Sequence, residues 1–227
     1  MNILALDTCT EMCSVAILKN GELFEQSLLT QRGHSEKILG MLDALFVEAG
    51  CRLSDMDCIA FGRGPGSFTG VRVGVSVTQG IAYAASLPVV PVSTLAAVAQ
   101  RAIDEHHAEC IAVAMDARMQ EVYSALYQSV DGLAVLVGEE RVCLPEQIEL
   151  SSEQSFFAAG TGWKEYETAM MAKFSKQVST LDNELLPTAA AIAKLAEKQA
   201  EKGHTLPAEQ AMPVYLRDNV AKKKGEQ

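Results

Sequence analysis

Two aspartates are the acids best placed to do chemistry. Asp7 closes a short apolar run that starts at Ile3, and Thr8, Cys9 and Thr10 follow it. Asp116 closes a second apolar run, residues 111–115, and Ala117 and Arg118 follow it. A carboxylate at a strand end beside hydroxyls suits phosphate and metal-bound water, and a second carboxylate on an opposing lobe would complete a nucleotide cleft. The plainer reading is that both acids cap tight hairpin turns. Gly160 and Gly162 follow the strand-like run 156–159 and form another strand-to-glycine step. Asp7, Thr8, Asp116, Gly160 and Gly162 are therefore the candidate nucleotide contacts.

The densest glycine motif lies elsewhere, at Gly64, Gly66, Gly70 and Gly74. It is not a Walker loop, because no Gly-Lys-Ser/Thr follows. It does not fit the dinucleotide fingerprint either: counting from Gly64, the sixth position is Thr69, and no acid follows about twenty residues on. Ser67 has Pro65 where a nucleophile elbow needs glycine. The four histidines, His34, His106, His107 and His204, include no pair four apart on a helix. The six cysteines form no Cys-x-x-Cys pair and read as buried free thiols of a reducing compartment. No metal site is expected.

The elements that must position these residues are legible from periodicity. Residues 58–62 form a strand, the glycine loop follows, and a helix spans 68–85, capped by Ser67 or Thr69. Three glycines inside that helix, Gly70, Gly74 and Gly80, cost about 1 kcal/mol each relative to alanine. Something must pack closely on the bare backbone: the helix's own sheet, or another subunit. Arg72, Gln79, Pro88 and Pro91 exclude a membrane span. From Cys58 to Ile103 there is no Asp or Glu, although the net charge is -10; the chain's average would place about six there. That points to a neutral or slightly positive surface for a partner protein or an anion.

An earlier amphipathic helix opens at Ser35 and closes near Gly50, with Ile38, Leu39, Leu42, Leu45 and Phe46 on one face. Asn20-Gly21 and Asp131-Gly132 are hairpin turns. Residues 89–92 form a strand, Ser93 or Thr94 caps a helix running to about His106, and residues 188–202 form an Ala-rich helix. Asp7 and Asp116 each end a strand, with another strand centred about eight residues on, then an Asx-Gly turn and a third strand. This suggests an internal duplication at a separation of about 109 residues.

At 227 residues and 48% hydrophobic the chain can build one large domain or two small ones. Its acidity argues against a dominant phosphate-binding surface. Lys222, Lys223 and Lys224, the one dense basic cluster, read as a solvated tail. A strand pattern begins at Asn2 with no signal-like leader, so a cytoplasmic location is expected.

Four motifs in order carry a resemblance. They are Leu6-Asp7-Thr8; residues 63–72 around Gly64, Gly66 and Gly70; Met115-Asp116-Ala117-Arg118 with Glu121-Val122-Tyr123; and Pro213-Val214-Tyr215-Leu216-Arg217. Together they closely resemble the bacterial TsaB (YeaZ) family over nearly the whole chain. The resemblance implies an α/β chain of the actin-like ATPase (sugar kinase/Hsp70/actin) fold with two RNase H-like lobes. These would be residues 1–103 and 104–227, with the final segment returning to the first lobe. It implies a non-catalytic part in forming N6-threonylcarbamoyladenosine in tRNA. The member would bind and activate its paralogue, the metal-containing transferase TsaD, with the ATPase TsaE as third component and tRNA contacted mainly through these partners.

No cofactor is assigned to the chain itself, ATP or ADP could bind within that complex, and the isolated chain would form a homodimer. Thr94 and Val98 stand where the transferase carries its metal-binding histidines, and neither can replace imidazole. The resemblance implies a partner surface on the two helices of the first lobe. The expected interface residues are Leu42, Leu45, Gly70, Val71, Gly74, Val75 and Thr78, and Gly74→Glu is expected to block pairing unless Gly74 packs internally. The alternatives are an autonomous ATP-dependent kinase or ATPase of the same fold and, more weakly, a peptidase. The kinase reading is weakened by Thr8 and Cys9, where kinases of this fold often carry glycine.

Overall fold

The structure is a computed structural model and describes residues 1–150 and 154–217; the lysine cluster at 222–224 lies outside the described residues. Two five-stranded mixed sheets carry the chain. In the first, β1 (Ile3–Asp7), β2 (Met12–Lys19) and β3 (Glu22–Leu29) form an antiparallel meander. The parallel strands β4 (Cys58–Gly62) and β5 (Val89–Val92) extend it beyond β1. The order is β3-β2-β1-β4-β5.

The second sheet repeats the plan. β6 (Cys110–Asp116), β7 (Val122–Val130) and β8 (Leu133–Cys143) form the meander, and β9 (Phe156–Ala159) and β10 (Val178–Asp182) add in parallel. Its order, β8-β7-β6-β9-β10, matches the first sheet element for element. These are the two RNase H-like lobes of the actin-like ATPase fold. Asn20-Gly21 and Asp131-Gly132 turn the hairpins, all four residues at positive φ. That backbone is the one that matches the right-handed twist of the flanking strands.

Side chains alternate across each strand, so β1 is buried on both faces. Leu4 and Leu6 pack with Ile38, Leu42 and Leu45 of α1 (His34–Glu48) and with Val71 and Val75 of α2 (Phe68–Ala85). Ile3 and Ala5 face the other way, onto Ala189, Ile192, Ala193 and Ala196. These belong to the sixth helix, Ala189–Glu201, which comes from the second repeat. Conversely α3 (Thr94–His106), from the first repeat, lays Leu95, Val98 and Ala102 on Ile111, Val113 and Met115 of β6. The two repeats thus exchange a helix, and a cut after residue 103 passes through the last turn of α3.

The outer face of the second sheet is covered by α4 (Gly162–Glu165) and α5 (Glu167–Phe174), through Trp163, Met170 and Phe174; the Ala189–Glu201 helix is α6. After α6 the chain returns along the first lobe. Leu206 pairs with Val89, and Gln79 Nε2–H donates to Ala211 O at 2.9 Å. Among the described residues no helix is long and apolar enough to cross a membrane.

Candidate functional site

The carboxyl ends of β1 and β4 meet under the start of α2. Ser67 caps that helix, accepting from Gly70 N–H at 3.3 Å. Ser67 N–H donates to Cys9 O at 2.7 Å, and Thr8 Oγ1–H donates to Gly70 O at 2.7 Å. These bonds draw the helix onto the segment that follows β1, and the glycines make the approach geometrically feasible. A Cβ on Gly70 would overlap the Thr8 carbonyl oxygen, and one on Gly66 the Cys9 carbonyl oxygen. One on Gly74 would lie 2.8 Å from Thr8 Oγ1.

Asp7 is sealed beneath this lid at 1% exposure. Gly62 gives it room, since a Cβ there would overlap Asp7 Oδ1. Asp7 Oδ1 accepts a long bond from Cys9 N–H at 3.4 Å, and Oδ2 has no hydrogen-bond partner among the described residues. Burial raises its pKa from 3.8 to about 6, opposed only by the weaker bonds from Cys9 and the backbone. The Cys9 thiol, which donates to Gly62 O at 3.3 Å, is held well above its ordinary value, first by burial and then by the Asp7 charge.

Asp116 holds the matching place in the second lobe under opposite conditions. It is partly open and pairs with Arg118 at 3.0 Å. It accepts from Arg118 N–H at 2.8 Å and from Tyr166 OH at 3.1 Å. Gly160 and Gly162 do not open onto a ligand space either. A Cβ on Gly160 would lie 2.6 Å from Ala114 O and one on Gly162 2.9 Å from Ala114 C, so both let the turn after β9 press on β6. Of the five candidate nucleotide contacts, Asp7, Thr8, Gly160 and Gly162 are therefore interior, and only Asp116 reaches the surface. Cavities of about 310 Å³ beside His106 and Phe157, and about 320 Å³ beside Phe46 and Arg52, have none of these five in their walls. Among the described residues no three His, Cys, Asp or Glu side chains are grouped to hold a metal ion.

The seven residues expected at a partner interface need correction. Leu42, Leu45, Gly70, Val71, Gly74, Val75 and Thr78 are all buried by this chain itself. Gly74→Glu would strike the fold before it reached a partner. The surface that α1 and α2 do present is displaced around each helix: Glu36, Leu39, Asp43, Val47 and Glu48 on α1, and Phe68, Arg72, Ser76, Gly80 and Tyr83 on α2. Val47 is 83% exposed and Tyr83 78%. Gly40 and Gly80 sit on these outer faces with nothing within 4 Å of an added Cβ. Much of the carboxylate-free stretch, including β4 and most of β5 and α3, is interior, which accounts for its lack of acids. The outer face of α2 is the exposed part.

Two further groupings went unread in the sequence. Glu140, on β8, accepts from Tyr127 OH at 2.7 Å and from the Ser93 hydroxyl that also caps α3, with Arg63 at 3.8 Å. And Arg217 closes on Glu121, joining two motifs that are 96 residues apart.

Comparison with known proteins gives a consistent kinship. Residues 27–225 match the family described as TsaD, tRNA N6-adenosine threonylcarbamoyltransferase. A Haemophilus influenzae protein described as tRNA threonylcarbamoyladenosine biosynthesis protein TsaB is 42% identical, covering 99% of this chain and 97% of its own. The Escherichia coli protein of the same description is 41% identical over 99% and 98%. The solved structure of YeaZ from Pseudomonas aeruginosa superposes with a TM-score of 0.87 at 44% identity, covering 95% of this chain and 99% of that one.

Proposed function

The chain belongs to the TsaB family of tRNA threonylcarbamoyladenosine biosynthesis proteins, and from that premise we propose that it is the non-catalytic subunit that binds and activates the transferase TsaD. The match to the TsaD family supports a pair of paralogues sharing one fold. The observation that carries the reading is the outer face of α1 and α2. In a chain of net charge -10 the outer side of α2 sets exposed Phe68, Arg72 and Tyr83 on a helix that bears no acid at all, and the α1 side adds Leu39 and Val47 about Asp43. On α2 the aromatic and arginine side chains, with no acid among them, have the composition of a protein interface core. Gly40 and Gly80 add open backbone on which a partner helix can close.

The same surface would pair two copies of this chain when TsaD is absent. TsaE would join as third component, and tRNA would be held mainly by the partners, in keeping with this chain's acidity. Such work belongs in the cytoplasm, with ATP or ADP bound within the complex. The rival reading, an autonomous kinase, needs Asp7 to reach a metal nucleotide; its burial speaks against that.

The test is tRNA modification by purified TsaD, TsaE and the threonylcarbamoyl-adenylate synthase, with and without this chain, read by mass spectrometry of nucleosides. Modification should require the chain and survive Asp7→Asn with Asp116→Asn. It should fail, with TsaD binding, in Gly80→Glu with Tyr83→Glu, a variant that remains a folded monomer. Modification that proceeds equally well without the chain would sink the proposal.

A further inference from the structure

The segment after Ala211 runs between lobes. Val214 N–H donates to Arg63 O at 2.8 Å, just beyond β4 of the first lobe. Its carbonyl lies so near Gly64 that a Cβ there would come to 2.9 Å. The Tyr215 ring lies 6.5 Å from that of Phe68, with the Arg72 guanidinium 3.4 Å from one ring and 4.9 Å from the other. Two residues on, Arg217 reaches the turn between β6 and β7 of the second lobe. Its Nε–H donates to Glu121 Oε2 at 2.8 Å, and Nη2 donates to the same carboxylate, to Ala117 O at 3.1 Å and to Arg118 O at 3.3 Å. Nη1–H reaches Met119 Sδ at 3.6 Å.

That turn holds three successive residues in a backbone region that side chains disfavour. Arg118, Met119 and Gln120 have φ of 61°, 56° and 64°, three successive non-glycine residues in the left-handed region. Such residues persist only where the surroundings over-determine them. One guanidinium gathers two carbonyls, a carboxylate and a thioether of this turn. Yet the ion pair is not buried: the Arg217 and Glu121 side chains are 17% and 31% exposed. Water and salt reach it, and release would let the turn relax.

We propose that residues 213–217 are a releasable strap across the carboxyl ends of β4 and β6, with Arg217 as its clasp and the left-handed turn 118–120 as its catch. The strap closes the crevice where open α/β sheets ordinarily admit ligands. Its upstream end is fixed by the Gln79 bond to Ala211 and the pairing of Leu206 with Val89, so opening is local. Clasped, it ties the glycine loop under α2 to the second lobe.

Hydrogen exchange of the full chain, read by mass spectrometry, tests it. In Arg217→Gln the amides of Ala117, Glu121 and Val214, bonded to Glu121 O, Arg118 O and Arg63 O, should exchange about tenfold faster or more, with β1 and β6 unchanged. Salt at about 0.5 M should move the native protein the same way. Adding Met119→Gly to Arg217→Gln should restore protection to Ala117 and Glu121 but not to Val214, because glycine holds a positive φ unaided. Unchanged exchange at the three amides would overturn the clasp. Faster exchange throughout β1 and β6 would make Arg217 part of the global fold and would also overturn it. A turn still fast in the double variant would overturn the strained catch.

Discussion

Asp7→Asn should stabilise this protein at neutral pH and lose that advantage in acid. Its carboxyl is 1% exposed and one oxygen has no partner among the described residues. The ordinary value of 3.8 is raised to about 6, chiefly by burial. The folded state therefore holds this proton more tightly than the unfolded chain does. A group of that kind supports the fold fully below its unfolded pKa, and the support is lost as pH rises through the folded one. Between about pH 4 and pH 6 Asp7 must deprotonate in the dark interior. At about 1.4 kcal/mol per tenfold in proton affinity the loss approaches about 3 kcal/mol. Asparagine has the same shape, can accept the Cys9 N–H, and carries no charge to desolvate. Urea unfolding of both proteins at intervals from pH 4 to 7.5 isolates the effect, because every other acid cancels in the difference. The two should match within about 1 kcal/mol at pH 4, and the variant should lead by about 2–3 kcal/mol above pH 6.5. A difference that stays flat across the range would refute the buried-carboxylate reasoning.

The helical glycines divide by what an added methyl meets. Gly70→Ala, which drives a Cβ into the Thr8 carbonyl, should cost about 3 kcal/mol or more in thermal or urea unfolding. Gly80→Ala and Gly40→Ala, with open space around them, should each stabilise the monomer by about 1 kcal/mol in the same measurement. Tyr127→Phe removes the bond to Glu140 at 2.7 Å and should cost about 1.5–3 kcal/mol, read by urea unfolding at pH 7. Trp163→Phe leaves Ala112 O without its 3.0 Å donor and opens space beside Phe156 and Phe174, so calorimetry should show a loss of about 2–3 kcal/mol.

The elements most legible in the sequence are those punctuated by glycine and proline. The strands Cys58–Gly62 and Val89–Val92 and the helix Phe68–Ala85 between them fall where periodicity and breakers put them, and Ser67 and Ser93 take the caps. α4, α5 and β10 carried no such signal: two helices of four and eight residues, and a strand with no buried residue. The exchange of α3 and α6 was also out of reach, since periodicity says which face of a helix is apolar and not which sheet will cover it. Gly70, Gly74 and Gly80 look alike in sequence; only the position of Thr8 separates the inner pair from the outer one. Asp7 and Asp116 likewise share one pattern. Their fates diverge because α2 presses its glycines onto the end of β1, whereas the second repeat sends a four-residue helix past Asp116, leaving it to Arg118, Tyr166 and water.

That divergence bears on what such a fold can do. A nucleotide site built on Asp7 and Asp116 would need both acids open to the space between the lobes. Here one acid is closed under a helix and uncharged over part of the ordinary pH range, and the other is engaged by an arginine and a tyrosine. The space beside Gly66, Gly70, Gly160 and Gly162 is taken by Thr8, Cys9 and Ala114 of the same chain. Nucleotide chemistry would need these contacts undone, at the cost of the packing that holds α2. The outer side of α2 requires no rearrangement at all. It is rigid because its inner side is locked on β1, and a rigid exposed face loses little conformational entropy when a partner covers it. On the proposed docking of TsaD at this face, Thr8→Val, which loosens the Thr8–Gly70 bond, should weaken TsaD binding measured by calorimetric titration although both residues are buried.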